Sequence, residues 1–386
     1  MTGDGGPADH GSEGTGSIGM AGLASAGATG AGGPVVLVSG GTGFVGAAVL
    51  RALAADPRLA APGAVRALVR RVPAPERRIA GVTYLTGDLT DPRTLRGRCD
   101  GVRALVHCAS LISGDETACT AVNVDGTRAL LAEADRAGVR HTVQLSTTAV
   151  YGAGPHRDLA EDAVPTAPAS PTSRTRLLAE GAVRAAGGVV VRPPLVYGPG
   201  DVWVVPLLAE LLRRVPALVG HGRARLSVVA VADLGRLLGA LALDPAAVPD
   251  GSVHHAGHPD PVTLRDLVRE LGRAVGLPVP AEGLDVEPYL ERLSAVPGRA
   301  SDHQARLLAE DRWYRSDVWA LTGCPVGPGL AARLREAAPW YREHLAVSGD
   351  PGSPRCPRSR RTAGPKPVPA PPVPPLGTGG TGSGRR

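Results

Sequence analysis

Short runs of apolar, often β-branched residues alternate with longer amphipathic stretches of Ala and Leu over the first half of the chain. Apolar runs without polar alternation are typical of parallel strands covered on both faces, and the amphipathic stretches are typical of the connecting helices. The pattern predicts strands at 35–38, 65–69, 82–85, 104–108, 141–145 and 189–192. It predicts helices at 45–54, 125–137 and 174–185. This order indicates an α/β fold, a doubly wound parallel sheet with its ligand crevice at the carboxyl ends of the strands.

The second half of the chain shows a looser pattern. It predicts helices at 202–214 and 264–275 and a returning strand at 226–231. We expect a first domain at 34–200 and a smaller lobe at 201–346, with 226–240 returning to the first domain.

The two ends of the chain, 1–33 and 347–386, are rich in Gly or in Pro and Arg and are predicted to be disordered. The C-terminal segment carries seven basic side chains and one acidic one, a net charge of +6 that equals the formal charge of the whole chain. We therefore expect no nucleic-acid partner for the folded part. We also expect no signal peptide, because the first basic residue is Arg51, and translation starts at Met1 or Met20.

Five cysteines show neither a CxxC pair nor metal-ligand spacing, which favours a cytoplasmic protein without a metal site. No apolar run approaches the roughly 18 residues that cross a bilayer, so we expect no membrane partner. The sequence leaves the oligomeric state open.

A glycine-rich segment, SGGTGFVG at 39–46, follows the first predicted strand and opens the first predicted helix. Its glycines allow a tight turn, close approach of the backbone to a pyrophosphate, and packing of helix on strand, while the helix N-terminus supplies positive potential. The alternative is an ordinary Gly-rich turn. The candidate dinucleotide contacts in this segment are Gly40, Thr42, Gly43, Phe44, Val45 and Gly46.

Arg70 and Arg71 end the second predicted strand, where a fold that prefers NAD usually has an Asp or Glu for the ribose hydroxyls. Guanidinium pairs bidentately with a 2′-phosphate, so the sequence favours NADP(H) over NAD(H). The alternative is a solvated pair of arginines. Asp88, after the third strand, either accepts a bond from the adenine amino group or caps the next turn.

Further motifs follow in order: LVHCAS at 105–110, VNVDGT at 122–127, LSTTAVYG at 145–152 and RPPLVYGPGD at 192–201. Together with the glycine motif they resemble the extended, epimerase/dehydratase-like short-chain dehydrogenase/reductases over 35–344. The resemblance implies a Rossmann domain followed by a smaller C-terminal substrate-binding lobe. It implies further cofactor contacts at Leu89, Cys108, Ala109, Ser110, Arg176, Pro193 and Val196, and substrate contacts at Ser110, Thr148, Tyr151, Leu195 and Trp203.

The catalytic set of that family is a Ser or Thr, followed by a Tyr and a Lys four residues apart. By resemblance Thr147 satisfies the first position, whereas Thr172 and Arg176 stand where the Tyr and the Lys are expected. The chain has a single lysine, Lys366 in the tail, so no lysine of the folded part fills the role. An alkanol is far less acidic than a phenol, and a guanidinium does not deprotonate at working pH. The site can therefore hold a cofactor and polarise a carbonyl without a good acid.

Three sources of the missing proton are conceivable. Tyr151 or Tyr197 moves in, water relays a proton through Thr147 and Ser173, or an acidic hydroxyl of the substrate donates it. Both tyrosines lie in VYG turns that relatives share, which favours a structural role. We favour the substrate, because this source explains how the tyrosine was lost without losing turnover.

The substrate class follows from Leu195, since sugar-nucleotide members of the family usually carry an Asn there. An apolar side chain at a diphosphate contact leaves polar groups unpaired. The segment is more similar to hydroxysteroid and flavonoid ketone reductases, and the chain as a whole resembles the simocyclinone-type angucyclinone ketoreductases of actinomycetes. We predict NADPH-dependent reduction of a ketone on an apolar, polycyclic aromatic polyketide. The alternatives are a sugar-nucleotide epimerase or dehydratase and a non-catalytic NADP-binding regulator.

Several other side chains are interpreted as structural. His107 lies within a buried strand and reads as a core histidine, and Arg223 and Arg225 read as a solvated loop. Each of the remaining aromatic candidates is a core residue in preference to a ligand contact. They are Trp203, Tyr289, Trp313, Tyr314 and Trp319.

Overall fold

The computed structural model describes residues 35–348, so the predictions for 1–33 and for nearly all of 347–386 lie outside the described residues. The strands in chain order are β1 (Val36–Ser39), β2 (Val65–Val69), β3 (Val82–Thr86), β4 (Ala104–His107), β5 (His141–Leu145), β6 (His156–Leu159), β7 (Val189–Arg192), β8 (Leu195–Tyr197), β9 (Leu218–Val219), β10 (Arg225–Leu226), β11 (Val228–Ala230), β12 (Val253–His255), β13 (Val262–Thr263), β14 (Gly283–Leu284) and β15 (Arg312–Tyr314). The helices are α1 (Phe44–Ala54), α2 (Glu116–Cys119), α3 (Gly126–Arg136), α4 (Pro171–Ala185), α5 (Val204–Arg214), α6 (Val231–Leu243), α7 (Leu264–Val275), α8 (Val286–Ser294), α9 (Asp302–Ala309), α10 (Val318–Thr322) and α11 (Leu330–Ser348).

The main sheet has seven strands in the order β3-β2-β1-β4-β5-β7-β12, and every pair in it is parallel. β1, β4 and β7 are buried along their whole length, as expected for strands covered on both faces. Separate apolar clusters pack on the two faces of the sheet. The predicted α/β class is confirmed, and all six predicted strands lie within one residue of the observed ones.

The helix α4 begins three residues before its predicted start. Pro171 occupies its first turn, and Ser170 and Ser173 form a reciprocal capping box in which each side chain accepts from the other's backbone N–H. This cap places Thr172 inside the first turn, so Thr172 and Arg176 lie one turn apart on the same helix face.

The predicted strand at 226–231 is present as extended chain, but it is interrupted and does not pair with the main sheet. The structure divides this segment into β10, which pairs with β13 and β15, and β11, which pairs with β8. The strand that returns to the main sheet is β12, which pairs with β7. The intervening helix α6 packs closely on α1, where a side chain at Gly235 would stand 2.7 Å from the backbone of Ala48.

The remaining strands and helices build a smaller lobe around a third apolar cluster, which includes Leu208, Leu267, Tyr289 and Tyr341. A four-stranded sheet in the order β13-β10-β15-β6 lies between this lobe and the segment that follows β5. Within residues 35–348, no helix combines the length and the apolar character needed to span a membrane.

Candidate active site

The glycine loop at the end of β1 packs against the loop after β4 without room for side chains. Gly40 has a φ of +72°, and a Cβ there would lie 2.7 Å from the backbone of Ala109. A Cβ at Gly46 would lie 2.3 Å from the carbonyl oxygen of Gly40. Gly43 precedes α1, whose first turn has no acidic side chain, so its backbone N–H groups and positive dipole end are available to an anion.

A second loop, 198–203, approaches the same glycine loop. A Cβ at Gly200, whose φ is +99°, would lie 3.0 Å from the ring of Phe44. Asp201 is buried and accepts bonds from the backbone N–H groups of 203, 204 and 205. The hydroxyl of Tyr341, from α11, donates to Asp201 at 2.9 Å and accepts from the N–H of Gly198 at 2.7 Å. The C-terminal helix thus helps to hold the loop over the start of α1.

The end of β2 is basic and open to solvent. Arg70 and Arg71 follow Val69 directly, both are exposed, and neither has an ion-pair partner among residues 35–348. Asp88 accepts bonds from the N–H and the hydroxyl of Thr90 at 2.9 and 2.8 Å, so its carboxylate caps the next turn in this structure. Leu89 packs on α3, where a Cβ at Gly126 would lie 2.7 Å from the Leu89 Cβ.

His107 is a buried core histidine, as predicted. Its Nδ1 lies 2.6 Å from the hydroxyl of Ser39, and its Nε2 lies 2.9 Å from the hydroxyl of Thr127. Thr127 donates its own proton to the carbonyl of Asn123, so Nε2 is assigned as the donor and Nδ1 as the acceptor. Burial lowers the pKa of His107 to about 4, and the imidazole is neutral at working pH.

The loop after β4 is fixed to α4 by Asn123, a residue that sequence reasoning did not select. Its amide nitrogen donates to the carbonyl of Leu111 and to the hydroxyl of Thr175, each at 3.0 Å. Its oxygen accepts from the N–H of Leu111 at 2.7 Å and from the hydroxyl of Ser110 at 3.1 Å. The side chain is fully paired, so it sets the position of Ser110 and of the neighbouring Cys108 and Ala109.

Thr147 and Arg176 both lie at the carboxyl end of β5. The hydroxyl of Thr147 is half-buried and accepts from the N–H of Ala149 at 3.1 Å. A terminal nitrogen of Arg176 donates to the carbonyl of Leu145 at 2.9 Å and to that of Ser146 at 2.5 Å. The Nε of Arg176 is buried and has no partner among the described residues. Burial lowers the pKa of Arg176 to about 10, against the opposing charge of Glu180, so the guanidinium keeps its proton near neutral pH.

Thr172 lies beside a thiol. Its Oγ1 is 3.9 Å from the Sγ of Cys119, which is fully buried at the end of α2. The distance is long for a hydrogen bond, and a hydroxyl of this kind is a poor acid. Thr172 therefore offers no proton donor comparable to a phenol.

The two tyrosines considered as replacements are buried within the fold. Tyr151 is 2% exposed, and its hydroxyl contacts Arg192 at 2.8 Å, Nε2 of His255 at 2.7 Å and the carbonyl of Glu161 at 2.9 Å. Burial raises the pKa of Tyr151 to about 12.

Tyr197 is 3% exposed, and burial raises its pKa as well. Its ring lines a cavity of about 130 Å³ between β11 and the start of α11. Neither phenol reaches Thr147 or Arg176 by a contact in this structure.

A buried ion pair stands behind the catalytic segment. Glu180 and Arg192 are 2% and 5% exposed, and the guanidinium of Arg192 donates to the carboxylate through Nε and Nη2. The hydroxyl of Ser146, next to Thr147, donates to the same carboxylate. Sequence reasoning missed this pair. One available signal was the spacing of Glu180, one helical turn beyond Arg176 on the same face.

The residues predicted to contact substrate differ in their exposure to solvent. Trp203 is 49% exposed at the start of α5, so its interpretation as a core residue is wrong, and Leu195 is half-buried in β8. Thr148 is buried, and its hydroxyl interacts with that of Tyr314.

Other side chains interpreted as structural also have contacts within the fold. The guanidinium of Arg225 lies 4.4 Å from the ring centre of Trp313, so it covers this ring instead of standing alone in solvent. Tyr289, Tyr314 and Trp319 are core residues, as interpreted from the sequence.

Fold and site together define a dinucleotide-binding Rossmann protein. Its candidate catalytic corner consists of Thr147, Thr172 and Arg176, at the carboxyl end of β5 and the start of α4. The family model described as the NAD dependent epimerase/dehydratase family matches residues 36–257, and the chain belongs to this family.

Several of the similar proteins are named as reductases. The 2-alkyl-3-oxoalkanoate reductase of Stenotrophomonas maltophilia is 32% identical over 257 residues, which cover 63% of this chain and 76% of the relative. The 4-hydroxy-2-methyl-3-oxo-4-farnesyl-3,4-dihydroquinoline-1-oxide ketoreductase of Stigmatella aurantiaca is 32% identical over 253 residues, 62% of this chain and 73% of the relative. Among solved structures, the dTDP-glucose 4,6-dehydratase DesIV of Streptomyces venezuelae, with NAD and TYD bound, superposes with a TM-score of 0.62. It is 23% identical and covers 81% of this chain and 98% of its own, which shows the shared fold.

The residues present fit a nicotinamide dinucleotide. The glycine loop forms a cradle that any Cβ at Gly40 or Gly46 would fill, next to the N-terminus of α1. Arg176 offers a buried Nε–H without an acceptor at the carboxyl end of β5, where a ribose hydroxyl can accept it. The described residues contain no cluster of three or more His, Cys, Asp or Glu arranged to hold a metal ion.

Proposed function

We propose that the protein is a ketoreductase that uses NADPH to reduce a ketone on a polycyclic aromatic polyketide, with the proton donated by a hydroxyl of the substrate. The observation that carries the proposal is the composition of the catalytic corner. Thr147 and Arg176 are placed to bind and polarise, while Thr172 adjoins Cys119 and both candidate tyrosines are buried elsewhere. A reductase built this way needs an acid from outside the protein.

NADPH is the proposed cofactor because of the charge at the end of β2. A 2′-phosphate pairs with an exposed guanidinium, and Arg70 and Arg71 are both exposed and without ion-pair partners in the described chain. The bound nicotinamide supplies a hydride to the carbonyl carbon.

The chain's own residues then orient and polarise. Thr147 stands where its hydroxyl can donate to the substrate carbonyl, and Arg176 holds the ribose side of the site through its buried Nε–H. As the carbonyl oxygen gains negative charge, a phenol hydrogen-bonded to it transfers its proton. The product molecule carries the new alcohol and a phenolate, and the phenolate takes a proton back from water.

The apolar substrate class is supported by side chains and by relatives. Leu195 is a half-buried apolar side chain against the apolar cluster of the smaller lobe and Trp203 is an exposed aromatic ring, which suits flat, apolar ligands better than a sugar diphosphate. Two relatives are named as reductases of an oxoalkanoate and of a farnesylated quinoline oxide. The resemblance to simocyclinone-type angucyclinone ketoreductases agrees with this class. We place the reaction in the cytoplasm, in line with the four described cysteines, which are all free thiols.

The test is loss of nicotinamide absorbance when NADPH is mixed with aromatic ketones that carry a hydroxyl peri to the carbonyl. We expect turnover, and we expect Thr172→Ala to keep most of it, because Thr172 gives no proton. Thr147→Ala is the matched control and is expected to lose roughly tenfold or more, the effect of removing one oriented donor. Inactivity towards the whole panel, or stoichiometric NAD retained through purification, would favour a sugar-nucleotide enzyme instead.

A further inference from the structure

We propose that the fixed positive charge of Arg176 lowers the pKa of the substrate's hydroxyl, so that one cation both orients the cofactor and tunes an acid that the protein does not contain. This inference rests on the proposed function and extends it to the ionisation of the bound ligand.

The position of Arg176 is set by backbone atoms. Its terminal nitrogen donates to the carbonyls of Leu145 and Ser146, so the guanidinium lies at the end of β5 beside Thr147. Thr172 is one turn earlier on the same face of α4 and is much smaller than a tyrosine. An aromatic ring of the substrate can therefore approach Arg176 across the face that a tyrosine would cover.

The charge of Arg176 is not neutralised by a neighbour. Glu180, from the same helix, is the carboxylate that acts on it, but Glu180 already pairs with Arg192 and accepts from Ser146. From β4 and the loop after it, Arg176 faces His107 and Cys108. Burial lowers the pKa of His107 to about 4 and raises that of Cys108 to about 12, so both are neutral. The guanidiniums of Arg192 and Arg176 thus have one carboxylate between them, and it pairs with Arg192, which leaves an excess positive charge at this corner.

An excess positive charge stabilises an anion and lowers the pKa of a nearby acid, typically by about 1–3 units when the groups lie within roughly 4–6 Å. Here the described site has no phenol to receive the effect, so it falls on the ligand. Because a guanidinium does not titrate near neutral pH, the effect is present throughout the working range.

The experiment is a titration of a bound ligand that cannot turn over. A tetralone with a hydroxyl peri to its carbonyl is bound together with NADP⁺, and the absorbance of its phenolate is followed against pH in the wild type, Arg176→Gln and Arg176→Lys. We expect the bound pKa in Arg176→Gln to lie about one unit or more above the wild-type value. Arg176→Lys keeps the charge and should retain the lowered pKa. It also guards against an effect of altered folding in the Gln variant.

Equal pKa values in all three proteins would overturn the inference, and so would failure of the tetralone to bind with NADP⁺. The proposed function has a separate readout, the oxidation of NADPH by the same tetralone. A lowered pKa without turnover counts against the proposed function but supports the role of Arg176. Turnover with an unshifted pKa does the reverse.

Discussion

The glycine loop and the first turn of α4 lie at the same end of the main sheet, yet they differ in how closely they follow their family. The loop keeps Gly40 and Gly46 at positions where a Cβ would strike the backbone. The helix turn has a serine cap, and Thr172 lies in it where the family resemblance implies a tyrosine. Cofactor binding depends on backbone geometry that few substitutions spare, whereas the proton donor is a single side chain. Under the proposed function, the difference separates the loop that binds the hydride donor from the side chain that would give the proton.

Breaking the buried ion pair between Glu180 and Arg192 gives the largest expected effect. Glu180→Gln leaves the buried guanidinium of Arg192 without its counter-charge, and breaking a buried pair in this way costs about 3–5 kcal/mol. Denaturant unfolding measures the change. The matched control is Glu116→Gln in α2, which breaks the exposed pair with Arg174 of α4 and should cost less than about 1 kcal/mol. Equal, small losses in both variants would show that the buried pair does not support this region.

A tyrosine introduced at position 172 should give the first turn of α4 a proton donor of its own. In Thr172→Tyr, we expect reduction of a substrate whose peri hydroxyl is methylated to rise roughly a hundredfold, the lower range for general acid catalysis. Steady-state rates with NADPH measure it, and Thr172→Phe controls for bulk without acidity. A rise in the Phe variant as well would mean that shape, not acidity, limits the reaction.

The glycine loop should tolerate little change. In Gly46→Ala, the new Cβ overlaps the carbonyl oxygen of Gly40, and relieving this contact costs roughly 1–3 kcal/mol. We expect at least a tenfold weaker affinity for the nucleotide, measured by fluorescence titration. Gly181→Ala in α4 meets nothing within 4 Å and should leave affinity unchanged. Wild-type affinity in Gly46→Ala would place the nucleotide elsewhere.

Cofactor choice is the smallest of the expected effects. Replacing Arg70 and Arg71 with Ala removes two exposed charges from the end of β2. We expect about a tenfold loss in kcat/KM for NADPH with little change for NADH, because a charged hydrogen bond contributes roughly 1.5–3 kcal/mol before solvent screening reduces it. Equal losses with both cofactors would show that these arginines do not read the 2′-phosphate.

Much of the first domain was predictable because its strands are continuous apolar runs, which fix type and limits together. The start of α4 was missed since Ser170 and Ser173 act only as a reciprocal pair. The strand β12 was missed because three residues containing two histidines do not read as a buried strand. In the site, the glycine loop and the substitutions at Thr172 and Arg176 were visible in sequence. The partnership of Glu180 with Arg192 was not, because it joins a helix to a strand and depends on tertiary packing.

The central claim is that the substrate supplies the proton, and the ratio of kcat/KM for a peri-hydroxy aromatic ketone to that for its methyl ether tests it most directly. The account predicts that the wild type reduces the hydroxy ketone at least about a hundredfold faster, in line with the loss of a general acid. Equal rates for the two ketones, with equal binding, would contradict it and require an acid within the protein.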